Sequence, residues 1–131
     1  MAVVQKKIRL VGTKGQEEVE ALFDSGATYS CIVASLAEKL DVVLSIPEPI
    51  HFEMVEKGKT IKVDHAVRLD FWMNGYRFSD EFFIIQNLSE NLILGAATMQ
   101  KWRFKLDFEN DPPEADWSES DEVEVAIEHK L

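Results

Sequence analysis

Asn74 and Gly75 stand between two aromatic-rich triplets, Phe71-Trp72-Met73 and Tyr76-Arg77-Phe78. A two-residue turn that matches the twist of its flanking strands needs positive φ at both positions, and asparagine followed by glycine tolerates that best. The pair therefore predicts a tight antiparallel hairpin, which commits this part of the chain to sheet.

The same period of two recurs along the chain. Val3, Val4, Ile8, Leu10 and Val11 interleave with Gln5, Lys6, Lys7 and Arg9, an opening strand that ends at Thr13-Lys14-Gly15. A second strand runs from about Glu18 to Phe23 and leads into Asp24-Ser25-Gly26, and Cys31-Ile32-Val33 reads as a short buried strand. Ser35, followed three residues later by Glu38, has the pattern of a capping box for a short helix through Leu40. Pro47 and Pro49 exclude regular helix after it, and from Ile50 to Ile85 the order is strand, turn, strand, turn, strand, with Glu56-Lys57-Gly58-Lys59 as one tip. Leu92-Ile93-Leu94-Gly95 reads as a buried strand closing on a glycine. Ala96 to Trp102 holds good helix formers, and Phe104, Leu106 and Phe108 alternate in a final strand.

With 131 residues, 46% of them hydrophobic, the chain can bury one sizeable core. We read residues 1–108 as a single all-β domain and residues 109–131 as an acidic tail. From Asp111 to Glu128 the tail's acids are opposed only by Lys130. Its first part, with Pro112 and Pro113, reads as solvated linker, and Val123, Val125 and Ile127 allow an edge strand. The net charge of −10 argues against nucleic acid and anionic membrane as partners, because phosphate binding draws its affinity from a basic surface. Apolar runs such as Phe82 to Ile85 fall far short of the roughly 20 residues a membrane helix needs. The single cysteine, Cys31, has no disulfide partner, and no signal peptide opens the chain, so the expected location is cytoplasmic.

Ala21-Leu22-Phe23-Asp24-Ser25-Gly26-Ala27 places one carboxylate at the end of an apolar strand. The apolar run half-buries the acid, the glycine admits another backbone, and the serine hydroxyl can bond across a symmetric contact. Asp-Ser-Gly alone also makes ordinary surface turns. Its combination with Leu92-Ile93-Leu94-Gly95, with a glycine-bearing hairpin between them and a short helix after, is the more specific pattern.

In these residues the chain resembles the retropepsin-like aspartic peptidases, from about residue 3 to residue 108. The resemblance implies a small closed acid-protease barrel with a flap hairpin and one or two short helices, working as a homodimer on an extended peptide or protein substrate. By position it makes Asp24 the catalytic aspartate and Ser25 the hydroxyl that braces the paired loops, and it turns Gly26, Ala27 and Thr28 toward the substrate backbone. Met54, Val55, Lys57 and Gly58 fall on the flap, Cys31 and Ile93 in pocket walls, and Gly95 on the second motif. The strand Arg103 to Phe108, with Val3 and Val4, falls where relatives interleave their termini. Viral members often pair an acid two residues after the glycine of the aspartate motif with an arginine after the second motif. Here those positions are Thr28 and Ala96, so both halves of the ion pair are replaced together.

Two carboxylates about 3 Å apart repel by roughly 5 kcal/mol at an effective dielectric near 20, so a close pair shares one proton and becomes an acid and a base. One chain holds one such motif, and a homodimer supplies the second. The rival reading is a non-catalytic dimeric barrel that binds a peptide or protein, and a third has the tail occupying the cleft. His51, His65 and His129 are scattered and Cys31 lacks a basic neighbour, so neither a metal site nor a cysteine nucleophile is expected, and no cofactor is implied. Trp72, Phe78, Phe82 and Phe83 read as core and hairpin packing.

Overall fold

The computed structural model describes residues 3–54, 59–107 and 114–116. β1 (Val3–Val11) and β2 (Gln16–Asp24) form an antiparallel hairpin in which Val3 lies opposite Asp24 and Val11 opposite Gln16. Alternation sends Val4, Ile8 and Leu10 of β1, and Val19, Ala21 and Phe23 of β2, into the core. The turn between them is pinned to the far end of helix α1 (Ala34–Leu40). Gly12 lies so close to that helix that a Cβ would stand 2.0 Å from the Leu40 carbonyl oxygen, and the Lys14 N–H donates to the same oxygen at 2.9 Å. Beside it, the Thr13 N–H and hydroxyl both donate to the Asp41 carboxylate at 2.9 Å.

β3 (Cys31–Val33), β4 (Leu44–Met54), β5 (Lys59–Met73), β6 (Tyr76–Ile85) and β7 (Leu92–Leu94) complete a seven-stranded sheet in the order β1-β2-β7-β3-β6-β5-β4. β5 also pairs with β1, Arg9 opposite Trp72 and Val11 opposite Asp70, which closes six strands into a barrel and leaves β4 on the outside of β5. The Asn74-Gly75 turn has φ of 51° and 80°, as that hairpin requires, and sets Met73 opposite Tyr76. Phe78 packs against Phe71, Trp102 and Phe104 with ring centroids 5.4, 5.2 and 5.0 Å apart. Burying each such ring contributes about 1.5–3 kcal/mol, which makes this aromatic centre a principal source of the barrel's stability. α2 (Ala96–Trp102) covers it with Met99 and Trp102.

Several local expectations are corrected. α1 is present, but its N-cap is Val33, no side chain caps it, and Ser35 lies exposed within the helix. The chain turns where β3 stops pairing, Val33 being held opposite Ile85, so tertiary pairing rather than the serine sets the boundary. β4 begins at Leu44 and runs through both prolines. A register shift between Ser45 and Ile50 absorbs them on an edge strand, where a missing N–H does little harm. β8 (Lys105–Asp107) pairs antiparallel with β9 (Glu114–Asp116), so a stretch read as linker contains a strand. Phe108 and the Val123 to Ile127 segment lie outside the described residues.

Candidate active site

β7 lies between β2 and β3, parallel to the first and antiparallel to the second. Its ladder sets Ala21 opposite Leu92, Leu22 opposite Ile93 and Phe23 opposite Leu94, while Ile93 also faces Cys31. Residues directly opposite one another share a face of a sheet. Ala21, Phe23, Ile32, Phe82, Leu92 and Leu94 line the barrel core. Leu22, Ile93, Cys31, Phe83 and Ala66 therefore form a row across the other face, with Cys31 opposite Phe83 and Phe83 opposite Ala66. Asp24 stands two residues beyond Leu22 on the same strand, so it closes that row at its rim. The hairpin arm of β4 and β5 folds over the row: Ile50, Phe52, Ile61 and Val63 pack with Cys31, Ala66, Phe83 and Ile85 in a second apolar cluster.

Asp24 is half-buried, and its carboxylate accepts the Gly26 N–H at 2.9 Å while its carbonyl accepts the Ala27 N–H at 3.1 Å. These bonds fix where the acid points. Ser25, Gly26 and Thr28 are exposed and Ala27 half-buried along the loop that follows. The start of α2 braces this loop from behind. Its first backbone donors, which no helix can satisfy internally, go to the loop: Ala96 N–H to the Ala27 carbonyl at 2.7 Å and Ala97 N–H to the Thr28 carbonyl at 3.0 Å. Gly95 N–H donates to Ser30 Oγ at 2.9 Å, and that hydroxyl bonds Thr98 Oγ1. Ser30 and Thr98 are 3% and 2% exposed, so this pair is a buried polar network with both members satisfied.

Gly95 itself is buried, and a Cβ there would stand 2.5 Å from the Tyr29 carbonyl oxygen and 2.9 Å from that of Ala27. Glycine is required because the two loops touch through backbone atoms. Where an ion pair could have joined Thr28 to Ala96, main-chain bonds and two hydroxyls join the same segments.

Of the other residues expected at the site, Ile93 is half-exposed on the row beside Leu22, and Cys31 is buried in it. Burial pushes the Cys31 thiol up to about 12, so it stays protonated and is no nucleophile. Met54 ends β4, opposite Lys59, while Val55, Lys57 and Gly58 lie outside the described residues. The strand after α2 pairs with β9 of its own chain, and Val3 and Val4 pair with Asp24 and Phe23.

The sequence reading missed three features. Ser30 and Thr98 carry the brace, and Tyr29 stacks on Phe52 at 5.6 Å and meets Phe83 edge-on at 5.4 Å. Phe83, taken for packing, does pack, though in the cluster beneath the hairpin arm rather than in the barrel core. The only signal for Tyr29 was an aromatic residue in a loop of otherwise small side chains.

Among the described residues, no three His, Cys, Asp or Glu side chains gather as a metal would need, and no helix is long and apolar enough to cross a membrane. His65 bonds Asp64 at 2.7 Å on the outer part of β5. A cavity of about 460 Å³ is lined by Glu38, Ile61, His65 and Asn87 among others, and its lining includes no residue of the Asp24 loop.

No protein-family model matches the sequence, and no curated protein is similar to it. Solved structures are. The chain superimposes on the retroviral protease-like domain of Ddi1 from Leishmania major with a TM-score of 0.59 at 17% identity, covering 88% of this chain and 90% of that one. It also superimposes on the EIAV protease complexed with the inhibitor HBY-793, with a TM-score of 0.56 at 14% identity, covering 76% of this chain and 88% of the other. The closed barrel, the strand threaded between β2 and β3, and the hairpin arm over the Asp24 face are thus those of the retropepsin-like fold.

Proposed function

We propose that the chain is an aspartic endopeptidase whose active site forms when two copies bring their Asp24 side chains together across a twofold axis. The observation that carries this reading is the placement of Asp24. An acid at the rim of an apolar, hairpin-covered row is aimed by the Gly26 N–H and held by a loop that α2 braces through Gly95, Ser30 and Thr98. A surface turn needs no such scaffold.

In the paired state the two carboxylates share one proton. The ionised member takes a proton from a water held between them, the protonated member donates to the scissile carbonyl oxygen, and the water oxygen adds to the carbonyl carbon. Collapse of the tetrahedral adduct breaks the C–N bond as the amine takes a proton from one aspartate and a hydroxyl of the adduct returns one to the other, which restores the singly protonated dyad. Ser25 stands beside the aspartate where its hydroxyl can bond across the twofold axis, and Gly26, Ala27 and Thr28, with Met54, Val55, Lys57 and Gly58, contact an extended substrate. Because both protonation states are needed at once, activity peaks on the acid side of neutrality.

Digestion of a mixed peptide library at about pH 4 to 6, read by mass spectrometry, tests the proposal. The native chain is expected to cleave and Asp24→Asn is not. Equal cleavage by both, or none by the native chain, rejects it and leaves a peptide-binding barrel as the better account.

A further inference from the structure

The apolar row that ends at Asp24 is not open along its whole length. Tyr29 lies on the loop five residues after Asp24, and its ring touches both the hairpin arm above the covered face and the strand beneath it. It stacks on Phe52 of β4 with centroids 5.6 Å apart and planes at 23°, and it meets Phe83 of β6 edge-on at 5.4 Å. Phe52 and Phe83 close the triangle at 5.8 Å. Three segments distant in sequence, the Asp24 loop, the hairpin arm and the strand flanking β3, therefore meet in one aromatic cluster. Tyr29 nonetheless stays 41% exposed, so much of its ring faces outward from that cluster.

An extended peptide lying along this face sets alternate side chains down toward the row. Near Asp24 it meets Leu22 and Ile93, which are only partly buried and leave room. Further along it meets the Tyr29 ring, backed by two more rings that cannot retreat without unpacking the hairpin arm. We infer that Tyr29 is a specificity-determining residue that makes this position shallow, so that the substrate side chain placed there must be small. The inference rests on the peptidase reading and goes one step past it, to the kind of peptide accepted. A hydrophobic pocket distinguishes side chains by roughly 10–200-fold per methylene gained or lost, so the effect is measurable.

The test compares the native chain, Tyr29→Ala and Tyr29→Phe on peptides that vary only at each position flanking the cleaved bond. At one position the native chain is expected to prefer Ala over Leu, and Tyr29→Ala to raise the Leu-to-Ala ratio of kcat/KM at least about tenfold. Tyr29→Phe keeps the ring and the native preference. A ratio unchanged in Tyr29→Ala at every position overturns the inference while leaving the peptidase reading intact. Failure of the native chain to cleave anything overturns both.

Amide exchange supplies a readout that does not depend on catalysis. Tyr29→Ala is expected to speed exchange across Ile50–Phe52 and Ile61–Val63 about tenfold while β1, β2 and α2 keep their native rates. Tyr29→Phe should leave all of them alone. Native rates in the hairpin arm of Tyr29→Ala would show that the ring does not bridge arm and loop, and the proposed wall would go with it.

Discussion

The floor and the roof of the covered face are held by different physics. The floor, made by β2, β7, β3 and the loop after Asp24, is fixed by directed bonds: ladder pairing on both sides of β7, main-chain bonds from α2, and the buried Ser30 and Thr98 hydroxyls. Among the described residues, the roof, the β4–β5 arm, pairs outward from Ala66 only with itself, because the β5–β6 ladder stops at Ala66 opposite Phe83. What seats it on the floor is apolar packing, chiefly the Tyr29, Phe52 and Phe83 rings. Directed bonds weaken as their donor and acceptor turn out of line, whereas apolar packing is non-directional and can slide. On the proposed function, the carboxylate that meets its twin needs the first kind, and the cover that admits a peptide needs the second.

Gly95→Ala is the severest way to break the floor. The added Cβ meets backbone of Tyr29 and Ala27, which cannot rotate away, and about 3 kcal/mol of stability should be lost in urea denaturation. A loss below about 1 kcal/mol would show that the two loops separate easily, and the contrast with the roof would be gone. Ser30→Ala comes next, at about 1–3 kcal/mol, because it leaves the Gly95 N–H and the Thr98 hydroxyl buried without their partner. A double-mutant cycle with Thr98→Val should give a coupling near 1 kcal/mol.

The roof should respond otherwise. Phe52→Ala removes a half-buried ring, and the expected global loss is about 1–2 kcal/mol, below that of a core phenylalanine, with most of the change in local opening of the arm seen by amide exchange. A full core-sized loss would mean that the arm and barrel unfold as one unit. The smallest effect serves as a control remote from both regions. The Thr13 N–H holds the Asp41 carboxyl below its usual value of 3.8, with the Val42 N–H and Thr13 hydroxyl adding to it. A depressed folded pKa contributes stability above the ordinary value, and that contribution fades as pH falls through the folded one. The stability difference between the native chain and Asp41→Asn should therefore shrink on acidification below about pH 4, with peptide cleavage unaffected.

What was legible in the sequence follows the same division. The Asn74-Gly75 turn could be read because its demand is local: positive φ at two adjacent residues, found at 51° and 80°. Strand alternation could be read for the same reason, since one buried face leaves a period of two. The Asp24 motif and Leu92 to Gly95 were legible as a pair, although why Gly95 must be glycine appears only when Tyr29 is seen against it. The features that escaped depend on distant partners. Val33 caps α1 because Ile85 holds it in register, the prolines of β4 sit in a strand because that strand is an edge with a register shift, and Ser30 meets Thr98 only after β7 has threaded between β2 and β3. The Tyr29 cluster draws on three segments, none of which announces the other two.

The central claim is that each working site takes one Asp24 from each of two chains, and mixing tests it most directly. Native and Asp24→Asn chains are unfolded together in equal amounts, refolded, and assayed for peptide cleavage at fixed total protein. If both aspartates are required, random pairing leaves only about one quarter of the dimers active, and activity falls to that share of the native value. Activity at half the native value would mean that each chain works with its own Asp24 alone, and the shared-proton account would be wrong.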